Sequence, residues 1–247
     1  MSCNNTSPVR YSWIGDVNWG LRHRTGYDGS GNGIHGGEPH SEEFNSTFKS
    51  QTNNWILNTN HYTYYYGGGK FVDWVGEVGV MVCKSGMHGY GRAFDLTSIR
   101  YTNGQWFDTN TDWRNYGLYW QRHYLAVVAS LRRHFGTVLT CWYNTAHYDH
   151  IHFDSGTSVG PINSGLKSDT TLVQAACKYL NGANITIDGV WGSGTNAAYA
   201  NLLRAFDMYC YNPRGNTDHA KLFLEYVMLH GFGSYTAGAY SAGCSPG

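Results

Sequence analysis

The tightest constraint on the fold is a short tract past the midpoint of the chain, His147-Tyr-Asp149-His150-Ile-His152-Phe-Asp154, in which His150, His152 and Asp154 alternate. Successive side chains of a β-strand point to opposite faces, so residues two apart share one face. The alternation predicts a strand over His150–Phe153, with two imidazoles and a carboxylate projecting together. Such a face is costly to bury unless its groups pair or coordinate a cation. An earlier tract, Ser85-Gly-Met-His88-Gly-Tyr-Gly91-Arg-Ala93-Phe-Asp95, sets His88 in a Gly-rich turn and Asp95 in the strand candidate after it. Gly89 and Gly91 permit the sharp turn that would carry the His88 ring back over Asp95.

A catalytic zinc site needs three protein ligands and an open position for water. His88, Asp95 and a histidine of the later tract would supply two neutral imidazoles and one anion. The ion would keep net positive charge and acidify its water, and Asp149 is a nearby carboxylate to take the proton. Taken singly, each residue has a plainer explanation. A histidine in a Gly-rich loop is ordinarily a surface hydrogen bonder, His150 and His152 suit an exposed edge strand, and Asp95 suits a turn. Two such tracts in one chain make coincidence the weaker account.

Around the tracts, the first 70 residues are rich in Gly, Asn, Thr and Tyr with weak periodicity, and read as loops and short elements, including Tyr62–Gly69. Val78–Val82 reads as a buried strand and Ala93–Tyr101 as a second. Residues 115–135 form the clearest helix, with Tyr124, Val128, Leu131 and Phe135 at steps of three or four and Gly136 at the expected C-cap. Val138–Tyr143 reads as a further strand. An α+β domain over residues 1–160, a small antiparallel sheet with helices around a zinc site, is the expectation. Ser155–Asp169 is rich in Gly, Ser and Pro, and residues 161–169 are assigned as a linker. Leu172–Leu180, Thr195–Tyr209 and His219–Leu229 then read as helices of a small three-helix domain over 170–247.

Composition narrows the function classes. Charged residues are 14% of the 247, against roughly 25% in ordinary soluble proteins. Twenty Tyr, nine Trp and 32 Gly supply neutral hydrogen bonding and ring faces instead, which suits carbohydrate or peptide polymers. Seventeen basic residues balance 17 acidic ones, and no cationic stripe exists for phosphates, so nucleic acid is excluded as a partner. No apolar run of ~18 residues is present to span a membrane. Cys3, Cys83, Cys141, Cys177, Cys210 and Cys244 are widely spaced with no CxxC, which argues against a four-thiolate zinc site. They fit up to three disulfides and an oxidising compartment, with Cys177–Cys210 the expected pair in the last third; six buried intracellular thiols are the alternative. Met1-Ser-Cys-Asn-Asn carries no apolar core of a signal peptide, so secretion is expected of a mature form or by another route.

The earlier tract resembles the SxHxxGxAxD signature of zinc D-alanyl-D-alanine peptidases, with one extra residue between Ser85 and His88. That group also holds murein endopeptidases, extensin-like C-terminal domains and the hedgehog signalling domain. The resemblance covers roughly residues 75–155. It implies His88, Asp95 and His152 as ligands of Zn2+, Asp149 as the general base, and His150 and His147 assisting, either by orienting water or by stabilising the tetrahedral intermediate. It also implies that group's fold, a sheet with helices around the metal. The family's upstream Arg is missing, since no Arg lies between Arg24 and Arg92. Lys70, Lys84, Arg22 and Arg24 remain as alternatives for its substrate-carboxylate role.

Leu172-Val-Gln174-Ala-Ala-Cys-Lys-Tyr-Leu180, followed by Ile187-Asp188-Gly189-Val190-Trp191-Gly192-Ser-Gly194-Thr195, resembles peptidoglycan-binding domain type 1. Asp188-Gly189 would form a tight turn, Trp191 plug the helix interface, Thr195 or Ser193 cap the next helix and Phe206 complete the core. Together the two resemblances imply a secreted, monomeric zinc peptidase cutting peptide bonds of bacterial peptidoglycan, with Trp142, Tyr143 and Tyr90 as cleft candidates. A non-catalytic zinc-containing wall-binding protein is the alternative, favoured by the missing Arg. A glycan hydrolase using Asp149 and Asp154 is a third reading.

Overall fold

A computed structural model describes residues 4–15, 21–23, 41–114, 117–233 and 244, with the backbone alone for 21–23. The architecture is mixed α+β. Strands β1 (Pro8–Tyr11) and β3 (Glu42–Asn45) form a two-stranded antiparallel sheet. The main sheet runs β2 (Leu21–His23), β4 (Val72–Glu77), β5 (Ala93–Tyr101), β8 (Ile151–Asp154), β7 (Thr137–Leu139), with β6 (Trp106–Asp108) also paired to β5. Its pairings are antiparallel except β2 on β4, which is parallel, so the expected antiparallel sheet is mixed at one edge.

Helices α1 (Ser46–Tyr65) and α2 (Leu118–His134) belong to this half. The 20-residue α1 corrects the reading of the first 70 residues as loops and short elements. Its Thr- and Asn-rich sequence has poor intrinsic propensity, so the helix rests on tertiary packing. Phe48, Thr52, Trp55, Ile56, Thr59 and Tyr62 form its buried face. Asn45 caps it by accepting from the Thr47 N–H, and the Trp55 Nε1–H donates to Ser130 Oγ on α2 at 2.9 Å.

Alternation along β8 sends Phe153 into an aromatic core and His152 to the opposite face. The Phe153 ring lies 4.5 Å from Phe135, 5.1 Å from Phe94 and 5.4 Å from Trp55. Val78–Val82, expected as a strand, is irregular: β4 ends at Glu77, and the pairing with β5 survives only as Val78 N–H to Asp95 O and Asp95 N–H to Gly79 O. The strand expected at Val138–Tyr143 stops at Leu139, because the Tyr143 N–H turns back to the Thr140 carbonyl. Gly136 does not cap α2. The helix closes at Phe135 in extended conformation, and Gly136 instead admits the Thr157 backbone where a Cβ would collide.

Helices α3 (Lys167–Asn181), α4 (Ser193–Ala205) and α5 (Thr217–Phe232) follow. Helix α5 packs extensively on α2, and α3 also touches α2. Gly231 lets α5 approach closely, since a Cβ there would sit 2.6 Å from the Arg122 carbonyl oxygen. Helix α3 begins at Lys167, five residues before the expected Leu172, and its Asp169 is buried on Arg132 of α2.

The motif of the second half acts through Gln174. Its Oε1 accepts from the Asp188 and Gly189 N–H groups, and its Nε2 donates to Asp188 Oδ1, the Val190 carbonyl and Thr195 Oγ1. Gly189 at φ +77° makes the tight turn. Neither Thr195 nor Ser193 caps α4, whose N-cap is Gly192 with no side-chain cap; Thr195 is occupied by Gln174. Trp191 packs on Tyr199, and Phe206 is buried among Phe223, Tyr226 and His230.

The expected Cys177–Cys210 bond is not formed. Cys210 pairs with Cys244, while Cys177 is a free thiol buried in the face of α3. Cys141 is also free and Cys83 is disulfide-bonded, so three disulfides are ruled out. Among the described residues no helix is long and apolar enough to cross a membrane.

Candidate metal centre

The turn before β5 places His88. Its 3-10 turn, Met87–Tyr90, is closed by Gly91 in the left-handed region at φ +64°, and Gly89 lies so close to the Lys84 carbonyl that no side chain fits. The buried His88 ring donates from Nδ1 to the Val80 carbonyl at 2.9 Å. That bond fixes the tautomer and leaves Nε2 facing the site.

Strand register supplies the other two groups. Asp95 of β5 is paired directly with His152 of β8, and neighbouring side chains on one face of such a pair meet. Asp95 Oδ2 lies 3.2 Å from His88 Nε2, Asp95 Oδ1 lies 2.8 Å from His152 Nδ1, and the two imidazole nitrogens are 3.3 Å apart. His152 is itself oriented from behind, because its Nε2–H donates to Asp154 Oδ2 at 3.0 Å. Asp154 is held in turn by the Gly156 N–H at 2.7 Å.

These residues fit a divalent cation. An ion with ligand bonds of about 2.0–2.1 Å in tetrahedral geometry separates its ligands by about 3.3 Å, close to the spacings above. His88, Asp95 and His152 are the group among the described residues whose donor atoms converge, all within 4.8 Å. Both histidines have an outer partner, the Val80 carbonyl and the Asp154 carboxylate, as metal-binding imidazoles usually do.

The electrostatics point the same way. Burial alone would raise the Asp95 pKa, but the hydrogen bond from His152 and the proximity of the His88 and His150 rings override it and hold the carboxyl well below the usual carboxylate range. Burial would lower His152, yet Asp154 and Asp95 push it up to about 9. Without an ion, a doubly protonated His152 thus supplies the positive charge that two flanking carboxylates demand. A divalent cation would replace that proton.

The remaining sequence candidates gather at the rim. Asp149 Oδ1 accepts from His150 Nδ1 at 2.9 Å, and His150 Nε2 is 3.9 Å from Asp95 Oδ1. The Asp149 carbonyl accepts from Thr109 Oγ1, which fixes the backbone of the loop. The His147 ring lies 5.1 Å from His150 and 6.0 Å from His152. Burial first, and the two neighbouring histidines second, lower its pKa to about 4, so it is neutral at pH 7. Its Nδ1 contacts Asn144 Oδ1 at 2.7 Å. Tyr143 is next to His147, with ring centroids 6.0 Å apart, and Tyr90 is exposed beside His88. Trp142 packs instead on Tyr124 and Tyr179.

The candidates for the missing Arg separate. Lys70 is buried on Gln105 and the Tyr101 ring. From Asp95 to Tyr101 is six residues of strand, about 20 Å at ~3.3 Å each, so Lys70 lies at the wrong end of the sheet. Lys84 lies in the exposed segment leading to His88. The Arg22 backbone lies on β2 beside Gly76, at the end of the sheet that carries Asp95. Arg24 lies outside the described residues.

Sequence reasoning missed the Val80 carbonyl and Asn144. Nothing marks a carbonyl in sequence, but an Asn three residues before a His, at the start of a turn, is a readable signal. Asp154, entertained as half of a glycosidase pair, is instead engaged by His152.

Residues 79–162 match the family model for the extensin-like protein C-terminus. The match opens at Gly79, just ahead of the Val80 carbonyl, and spans both histidine tracts. It leaves α3, α4 and α5 outside. That family is related to the D-alanyl-D-alanine peptidase group. Neither a curated protein nor a solved structure matches the chain.

Proposed function

We propose that the protein is a secreted zinc peptidase that hydrolyses peptide bonds in bacterial peptidoglycan stems or cross-links. The observation that carries the reading is the convergence of His88 Nε2, Asp95 and His152 Nδ1 at near-tetrahedral spacing, each imidazole locked from behind. Zn2+ bound there would polarise the scissile carbonyl and lower the pKa of its water. Asp149 accepts the proton and passes it to the leaving amine, with His150 holding its carboxylate in place. His147 is neutral at neutral pH and gives its Nδ1–H to Asn144 Oδ1, which leaves Nε2 as an acceptor available to orient the attacking water. The low charge and the Gln174-stapled motif of the second half support a wall-directed role, with that half retaining the protein, as a monomer, on the polymer.

Mass analysis of fragments released from purified peptidoglycan tests this. The expected result is peptide release that stops with a chelator, returns with added Zn2+, and is lost in Asp149→Ala. Bound zinc with no release would instead assign the chain to the non-catalytic wall-binding class.

A further inference from the structure

We propose that an open groove between the sheet-bearing half and α3 is a subsite for a carbohydrate chain of N-acetylated amino sugars. The groove has a volume of about 660 Å³, within the range of small-ligand sites. Trp113, Arg114, Gln121 and Trp142 come from one half, and Lys178 and Tyr179 from α3. Three ring faces and three hydrogen-bonding side chains therefore meet across the junction.

Sugar rings present flat C–H faces edged by hydroxyl and acetamido groups. Aromatic rings cover the former, while guanidinium, amide and ammonium groups donate to the latter. The groove matches that alternation. Trp142 and Tyr179 lie 6.1 Å apart with their planes inclined by 37°. Arg114 and Lys178 are both cations, and no carboxylate stands among the described lining residues to pair with them. The cations come from different elements, which suits separate hydroxyl and acetamido oxygens better than one carboxylate.

Part of the site is organised in advance. The Trp113 indole N–H donates to the Tyr148 carbonyl at 2.9 Å, and Arg114 is held by Asn110 Oδ1 at 2.8 Å with its guanidinium 5.3 Å from the Trp113 ring. Groups fixed before binding lose little further freedom. The Trp113 bond also ties the groove to residue 148, adjacent to Asp149. A glycan lying there passes the loop of the proposed proton acceptor and keeps its peptide branches near the metal centre. The choice of an amino-sugar chain rests on the wall-directed reading above; the groove and its chemistry do not.

Calorimetric titration of the full chain with a β-1,4-linked N-acetylglucosamine hexamer tests the inference, with and without chelator. Saturable binding is expected, unchanged by the chelator and at least tenfold weaker in Trp113→Ala and in Lys178→Glu. Lys178 is exposed on α3, so that variant decides the matter should Trp113→Ala fail to fold. No saturable binding, undiminished binding in Lys178→Glu, or an acidic hexapeptide that binds in the groove where the hexamer does not would overturn the proposal. Hexamer binding by a protein that holds no metal and releases no peptide would leave the groove standing and remove the peptidase reading.

Discussion

Removing the carboxylate of Asp169 isolates how firmly the last three helices are joined to the sheet-bearing half. Its Oδ1 accepts from Arg132 Nε at 2.7 Å, and its Oδ2 from Arg132 Nη2 at 3.0 Å and from the Asn163 N–H at 2.8 Å. Arg132 also donates to the Gly160 and Pro161 carbonyls, so one guanidinium ties α2, the connecting segment and α3 together. Both side chains are buried, at 5% and 2% exposure. Breaking such a pair from one side leaves an uncompensated charge and costs about 3–5 kcal/mol. At about 2–4 °C per kcal/mol for a chain of this size, Asp169→Ala should lower Tm by roughly 6–20 °C. The double variant Arg132→Met/Asp169→Leu removes both charges and should recover part of the loss, the remainder being the Asn163 N–H and the Gly160 and Pro161 carbonyls that lose their partners. Urea unfolding of the single and double variants, followed by circular dichroism, measures both. A single variant within about 1 kcal/mol of the parent would refute the argument, because the pair would then not be buried in solution.

Further outcomes follow from the site and the second half. His88→Ala and Asp95→Asn should each abolish stoichiometric zinc, read by elemental analysis after dialysis. His152 must shed a proton before Nδ1 can bind a metal. With its pKa raised to about 9, zinc binding at pH 7.5 should release close to one proton, and affinity should climb about tenfold per pH unit towards pH 9. Titrations in buffers of different ionisation enthalpy count that proton. In the chelated protein the same raised pKa adds stability that is full below about pH 6.5 and disappears as pH rises through about 9, which thermal melts across that window would show. Gln174→Ala removes the buried amide that accepts from the Asp188 and Gly189 N–H groups; these turn to water, so at about 0.5–1.5 kcal/mol net per bond a loss of roughly 1–3 kcal/mol is expected in denaturant melts, with zinc content unchanged.

Much of the metal centre is legible without coordinates. A two-residue alternation at His150, His152 and Asp154, and a Gly-punctuated turn before Asp95, describe local geometry that a few residues dictate. The boundaries of β5 are equally local, set by a long apolar strand after that turn. Helix α1 is not legible, because Lys49, Thr52, Thr59, Asn60 and Thr63 interrupt the apolar residues of its buried face, and only tertiary packing makes them core residues. The cysteine pairing fails for the same reason. Being helical says nothing about which face of α3 Cys177 occupies.

The sequence alone therefore determined which chemical groups the chain can bring to a cation, since spacing of two along a strand and glycine at a turn act within a few residues. Tertiary structure decided the division of labour among them. The pairing of Asp95 with His152 sends one nitrogen of that ring to the cation position and the other to Asp154, and the irregular stretch after β4 presents the Val80 carbonyl to His88. The aromatic groove arises only where α3 meets the first half, because its rings come from Trp113, Trp142 and Tyr179, far apart in sequence, and no local rule joins them.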